Sequence, residues 1–260
     1  MPRPFAKPKP ANWKVVLTTP ILLLALLFPG LAAANADEIS TDVPRTTTDV
    51  PRTTDEVPRN SEDVPRTSLY DIDNAKSLQV VVNKKRPLSP IDYLPRGKVR
   101  IGYVWVAKPA ADAYAQLKAA VSKQKLGTLC INSGYRSYDS QKAIHATKVA
   151  VLGKTAGEKL AARPGYSEHQ TGLAIDISTT ALGCRIGPFG ASKASGWIAK
   201  NAWQYGFIVR YPSNAATKIT GYVWEPWHLR YVGTELATDM QAKGIATLEE
   251  YFALPAAPKY

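Results

Sequence analysis

Cysteine, histidine and methionine are all scarce in this chain, with two, three and two copies. The two cysteines, Cys130 and Cys184, have no CxxC spacing. That excludes a Cys-based zinc module and a disulfide-dense scaffold. Any imidazole chemistry must come from His145, His169 or His228. Acids are also in deficit, 21 against 33 basic residues, for a formal charge of +12. What is present in ordinary measure is hydrophobic sequence, 45% of 260 residues, enough for one substantial domain with extensions.

The N-terminal 14 residues carry four basic and no acidic side chains, and an apolar run, VVLTTPILLLALLFPGL, follows. Ala34 and Ala36 then offer small residues before Asp37. The expectation is an export signal over residues 1–36, with an uncleaved membrane anchor as the rival reading. Residues 37–68 repeat a D/E-V-P-R unit with period seven, Pro44, Pro51, Pro58 and Pro65 falling in register. A proline in every unit excludes a coiled coil and points to an extended, disordered linker. At ~3.1 Å per residue it would span up to roughly 90 Å.

The leader holds +4 and the linker −4, so residues 69–260 keep the whole +12, from 25 basic and 13 acidic residues. An exported basic domain suits an anionic surrounding such as a cell wall or a lipid face. Export, and the lack of any basic-aromatic cluster, speaks against nucleic acid. Nothing calls for an obligate protein partner.

Within 69–260 the pattern predicts a strand in SLQVVVN and helices over 108–127 and Tyr138–Leu152. It also predicts strands at TLCIN, Gly172–Ser178 and FIVRYP, and a helix in SKASGWIAKNAWQYG. A strand or extended segment ends WEPWHLRYVG, and TELATDMQAKG and TLEEYFAL close the chain as helices. Strands spaced by helices of unequal length argue for α+β, a small mostly antiparallel sheet flanked by helices.

One stretch poses a chemical question. SEHQTGLAID carries His169 at its entrance and Asp176 inside an apolar run, where an unpaired carboxylate is expensive. His228 lies far downstream, three residues after Glu225. Two imidazoles and a carboxylate would hold a Zn²⁺ with one position open, and Glu225 would be a nearby base. A His–Asp core hydrogen bond explains the same residues without a metal, so spacing alone leaves both readings standing. His145 sits mid-helix with no acid at useful spacing and reads as structural.

Four segments in order, VVVNKKRPL, SGYRSYDSQ, SEHQTGLAID and EPWHLRYVG, resemble the VanY-type zinc D-alanyl-D-alanine carboxypeptidases. That family belongs to a group of peptidoglycan peptidases sharing a metal-site layout with the Hedgehog signalling domain. The resemblance covers roughly residues 78–252. It implies one zinc per chain on His169, Asp176 and His228, with Glu225 activating water and returning its proton to the leaving amine. It further implies that Arg136 engages substrate near the scissile carbonyl, that Ser167 and Gln141 contact substrate, and that Trp224 walls the pocket. The implied substrates are peptidoglycan stem peptides. An L,D-carboxypeptidase, a stem endopeptidase, or a catalytically inactive wall-binding module with the same metal site remain the alternatives. Cys130 and Cys184 flank the implied site, and an oxidising compartment would join them in a disulfide.

Overall fold

The computed structural model describes residues 69–213 and 216–260. The expected signal over 1–36 and linker over 37–68 lie outside the described residues. A short hairpin of β1 (Lys98–Ile101) and β2 (Val104–Ala107) leads into α1 (Lys108–Lys123). A second sheet is antiparallel throughout, in the order β3 (Leu129–Ser133), β4 (Ala174–Thr179), β6 (His228–Tyr231), β5 (Phe207–Val209). Between β3 and β4 come α2 (Tyr138–Leu152), α3 (Lys154–Gly157) and a 3₁₀ turn, Glu168–Thr171. Helix α4 (Lys193–Asn201) precedes β5, and α5 (Thr234–Ala242) and α6 (Leu248–Tyr251) follow β6. This is the expected α+β arrangement.

Local chemistry places the elements. Pro109 sits in the first turn of α1, where its missing N–H costs nothing. The helix buries Ala110, Tyr114, Leu117 and Val121 on one face, and the Tyr114 hydroxyl donates to the Leu129 carbonyl at 3.0 Å. Ser137 caps α2 by accepting from the Ser140 N–H, which fixes the turn carrying Arg136. All six residues of β4 are buried. Ile175 and Ile177 enter the main core with Leu117, Phe189, Phe207 and Leu229, and the alternate side chains, Asp176 among them, face the other way. A second core of Ile208, Val232, Leu236, Met240 and Leu248 seats α5 and α6.

Two expectations change. The strand predicted in SLQVVVN is not a strand, although Val80, Val81 and Val82 are all buried. Arginines take the backbone acceptors there instead. Arg230 donates to the carbonyls of Leu78 and Val80, and Arg86 to that of Val81. The helix predicted over SKASGWIAKNAWQYG ends at Asn201 and continues as a 3₁₀ turn, Ala202–Tyr205. The β1–β2 hairpin escaped the pattern reading because its four-residue strands are too short to show alternation.

Cys130 and Cys184 are joined, bridging β3 to the loop after β4 across 54 residues of sequence. Removing the bond should lower stability by about 4 kcal/mol on the chain-entropy account. Urea unfolding of wild type against Cys130→Ser/Cys184→Ser reads this directly. An unmoved midpoint would mean that the loop is held by its hydrogen bonds alone, Asn132 to the Cys184 carbonyl and the Cys184 N–H to Thr179.

Candidate active site

Adjacent strands and one turn bring the three expected ligands together. Asp176 on β4 is the register partner of His228 on β6, and the turn holding His169 leads into β4. Gly172 ends that turn with φ +74°, a left-handed conformation that glycine adopts without strain. One ligand atom from each of His169, Asp176 and His228 lies within 4.8 Å of the others. All three side chains are almost wholly removed from solvent.

Hydrogen bonding fixes which ring nitrogens face the centre. His169 Nδ1 lies 2.7 Å from the Gly134 carbonyl, which only accepts, so Nδ1 carries the proton and Nε2 a lone pair. Gly134 is required for this approach, since a Cβ there would sit 2.5 Å from the Trp105 carbonyl oxygen. His228 Nε2 lies 3.3 Å from Glu168 Oε2, so in the neutral ring Nδ1 is the bare nitrogen. The two bare nitrogens point at one carboxylate: His169 Nε2 is 3.3 Å from Asp176 Oδ2, and His228 Nδ1 is 3.1 Å from Asp176 Oδ1.

Lone pairs facing a carboxylate repel unless a cation sits among them. His169 Nε2 is buried with no hydrogen-bond partner, as a ligand atom would be. Burial, reinforced by Arg136, pulls the His169 ring down to about 4, keeping it neutral. Burial also opposes charge on His228, but its hydrogen bonds to Asp176 and Glu168 outweigh this and carry it up to about 9. A proton or a metal ion must therefore stand between His228 and Asp176. Two imidazoles and one carboxylate in this geometry fit Zn²⁺.

Glu225 is buried beside this group, its Oε2 3.9 Å from His228 Nδ1 and so outside the ligand triad. Burial pushes its carboxyl up to about 7 against the pull of His228. Pro226 separates it from β6 by a tight turn in which the His228 N–H bonds to the Glu225 carbonyl at 3.1 Å. Arg136 reaches in from the turn before α2, donating Nη1 to Gln141 Oε1 at 3.0 Å, with Nη2 3.9 Å from Asp176 Oδ2. Its Nε is buried and unpartnered. Arg136, Gln141, Ser167, His169, Glu225 and His228 line one cleft of about 40 Å³, with Tyr211 and Tyr222 as a wall. The Tyr211 ring lies 4.9 Å from His228.

Trp224 is not part of this cleft. The residue is 46% exposed, and its ring lies against Gly190 in a neighbouring groove that Pro226 also lines, on the other side of the segment from Glu225. His145 has an acid within reach after all, Glu158 at 3.7 Å, a contact outside the cleft lining.

Sequence reasoning missed the support behind the triad. Glu168 is fully buried and accepts from Arg210 Nε at 2.8 Å and Arg230 Nη1 at 2.9 Å, besides facing His228. Arg210 also grips Glu249 with two bonds of 2.7 and 2.8 Å. Burial opposes charge on Glu168, yet Arg210, Arg230 and His228 hold its carboxyl far below the usual range. The available signal was the one used for Asp176: charged residues inside the apolar runs FIVRYP and HLRYV.

Residues 104–234 match the VanY family of D-alanyl-D-alanine carboxypeptidases. The putative carboxypeptidase YodJ of Bacillus subtilis is 40% identical over 195 residues, 71% of this chain and 70% of YodJ. The chain belongs to the VanY family. Among solved structures, the LdcB LD-carboxypeptidase is 40% identical with a TM-score of 0.63, covering 69% of this chain and 87% of its own. The vancomycin-resistance D,D-pentapeptidase VanY, solved as a mutant in complex with Zn(II), is 32% identical with a TM-score of 0.57, covering 66% and 97%. The VanY-family chain is thus a metallopeptidase of the D-alanyl-D-alanine carboxypeptidase type, with the Hedgehog-like arrangement expected from its motifs.

Proposed function

We propose that this VanY-family enzyme is a zinc D,D-carboxypeptidase that removes the terminal D-alanine from D-Ala-D-Ala-ended peptidoglycan stem peptides. The observation that carries this is the pair of bare imidazole nitrogens aimed at one buried carboxylate, beside a glutamate able to exchange a proton near neutrality. His169, Asp176 and His228 would hold one zinc, the two rings through their bare nitrogens. When bound, it supplies Lewis acidity to a water and to the scissile carbonyl.

Glu225 takes the proton as water adds to the carbonyl carbon, and returns it to the amine nitrogen as the C–N bond breaks. Its raised pKa suits both transfers, since it can accept and release near pH 7. Arg136 faces the oxygen that gains negative charge, with donors left over from its single bond to Gln141. Ser167 and Gln141 contact the substrate from the cleft wall. An inactive binding module has no use for Glu225 and Arg136 in these positions. The N-terminal leader and the +12 domain support export to an anionic wall surface, with or without the leader as an anchor.

Trimming of tetrapeptide stems by an L,D-carboxypeptidase is the second reading. It is favoured by the 40% identity to LdcB, against 32% to the D,D-pentapeptidase. Mass spectrometry of pentapeptide and tetrapeptide muropeptides, incubated side by side with the enzyme, separates the two. Loss of one alanine from the pentapeptide is expected, stopped by a chelator and restored by zinc. Trimming of the tetrapeptide alone would transfer the specificity to L,D, and chelator-resistant trimming would remove the metal assignment.

A further inference from the structure

The segment Trp224–Glu225–Pro226 has a second side. Glu225 faces the cleft, while Trp224 and Pro226 face a half-open groove of about 470 Å³. That is well within the range of small-molecule sites, roughly 300–1,000 Å³. Its walls come from α4, the edge strand β5 and the end of α5 with the turn after it. Among the described residues, no charged side chain lines it, in a domain carrying 25 basic and 13 acidic residues. An anionic lipid head group or a charged peptide would find no counter-charge there.

Two tryptophans are fixed in the groove. The Trp224 ring rests on Gly190, where a Cβ would lie 2.9 Å from Cη2, and half of the residue stays open to solvent. Trp203 ties its Nε1 to the Lys200 carbonyl at 2.9 Å and is partly buried. Ser192, Ser195 and Gln241 add uncharged hydrogen-bonding groups. Flat aromatic faces, neutral polar groups and no charge suit a neutral ring with apolar C–H faces and hydroxyl edges. That is the chemistry of an N-acetylated pyranose. The stem peptide is joined to such sugars through an amide, which consumes the sugar's carboxylate and leaves the strand neutral at the junction.

We propose that this groove is a glycan subsite, holding an N-acetylated sugar of the peptidoglycan strand while the stem peptide enters the cleft. The inference rests on the peptidoglycan carboxypeptidase reading. Adjacent Cα atoms at 224 and 225 are ~3.8 Å apart, and four extended stem residues reach up to about 14 Å, enough to pass round the segment.

Gly196 supplies the test. It lines the groove from α4, and a Cβ built on it meets nothing within 4 Å. Gly196→Phe therefore fills the groove at a site that tolerates a side chain and gains helix propensity. Wild type and Gly196→Phe, as full chains loaded with zinc, are compared on a disaccharide-linked pentapeptide and on the same pentapeptide without sugar. Wild type should favour the disaccharide substrate by about tenfold in kcat/KM, and the variant should lose that factor through KM with kcat unchanged. The sugar-free peptide should be cleaved equally by both. In parallel, an N-acetylglucosamine tetramer should perturb tryptophan fluorescence in wild type and not in the variant.

No sugar preference in wild type, or none lost in the variant, would overturn the proposal. A higher KM for the sugar-free peptide in the variant would overturn it too, and would make the groove a peptide site on the free edge of β5. Failure of wild type to cleave either pentapeptide would instead strike the D,D reading and move the same comparison to the tetrapeptide pair, and the tetramer titration would still decide the groove.

Discussion

Glu225→Ala should lower kcat by about 10²–10⁴-fold while the protein stays folded and keeps its zinc. The carboxylate is the only part of Glu225 given a chemical task. Its N–H bonds to the Tyr211 carbonyl and its carbonyl accepts from the His228 N–H, and both bonds survive truncation to alanine. Its side chain lies 3.9 Å from His228 Nδ1, beyond the ligand group, so metal affinity should change little. Burial makes a charge at this position costly, as the rise to about 7 shows, so removing it should not destabilise the fold.

A loss confined to the chemical step lowers kcat and kcat/KM together. A drop of 10²–10⁴ corresponds to about 3–5 kcal/mol of transition-state stabilisation. Turnover on pentapeptide, zinc content and thermal midpoint, measured on one preparation of Glu225→Ala, check the three parts. Retained turnover would remove the assignment of the base. Loss of zinc would move Glu225 into the ligand group. Glu225→Gln, which keeps the shape without the basicity, should be as slow as the alanine variant.

The site was legible in the sequence to the extent that its residues were chemically out of place. Asp176 within LAIDIS and the sparse histidines pointed to one cluster, and the structure brings His169, Asp176 and His228 within 4.8 Å. Helices were readable where one local signal is strong, the inward stripe with Leu117 and Val121 behind Pro109 in α1 and the Ser137 cap in α2. Periodicity failed where long-range polar contacts decide the backbone. Residues 77–83 look like a strand, but Arg230 and Arg86 claim their carbonyls from far along the chain or from a tight turn. Trp224 was expected to wall the cleft and lines the groove beside it instead, since one residue of offset from Glu225 puts its side chain on the other side of the segment. Glu168 carried no signal of its own, because its meaning depends on Arg210 and Arg230, 42 and 62 residues away, and only those two stood out of place in their apolar runs.

Glu168→Gln should cost about 3–5 kcal/mol of stability, the largest structural loss among single changes near the site. Glu168 is the shared anion between Arg210 and Arg230, all three side chains are fully buried, and no water-facing atom can compensate. Arg210 would keep Glu249, and Arg230 would keep the carbonyls of Leu78, Val80 and Tyr231. One positive charge would nevertheless be left without its counter-charge in a dry interior. The effect should reach the metal as well. Glu168 Oε2 holds the Nε2 proton of His228, which keeps Nδ1 bare for the ion, and loss of such an orienting partner typically weakens binding about 10–100-fold.

The sign with pH follows from the same geometry. The folded carboxyl is held well below its unfolded value, so its contribution is complete above about 4.3 and fades as pH falls below that. Glu168→Gln should therefore narrow the stability gap to wild type on acidification from pH 6 towards pH 3. Urea unfolding at several pH values reads the stability, and a chelator competition at pH 7 reads the zinc affinity. Weaker zinc binding with unchanged stability would confine Glu168 to orienting His228. Lower stability with unchanged affinity would make it a counter-ion for the arginines alone.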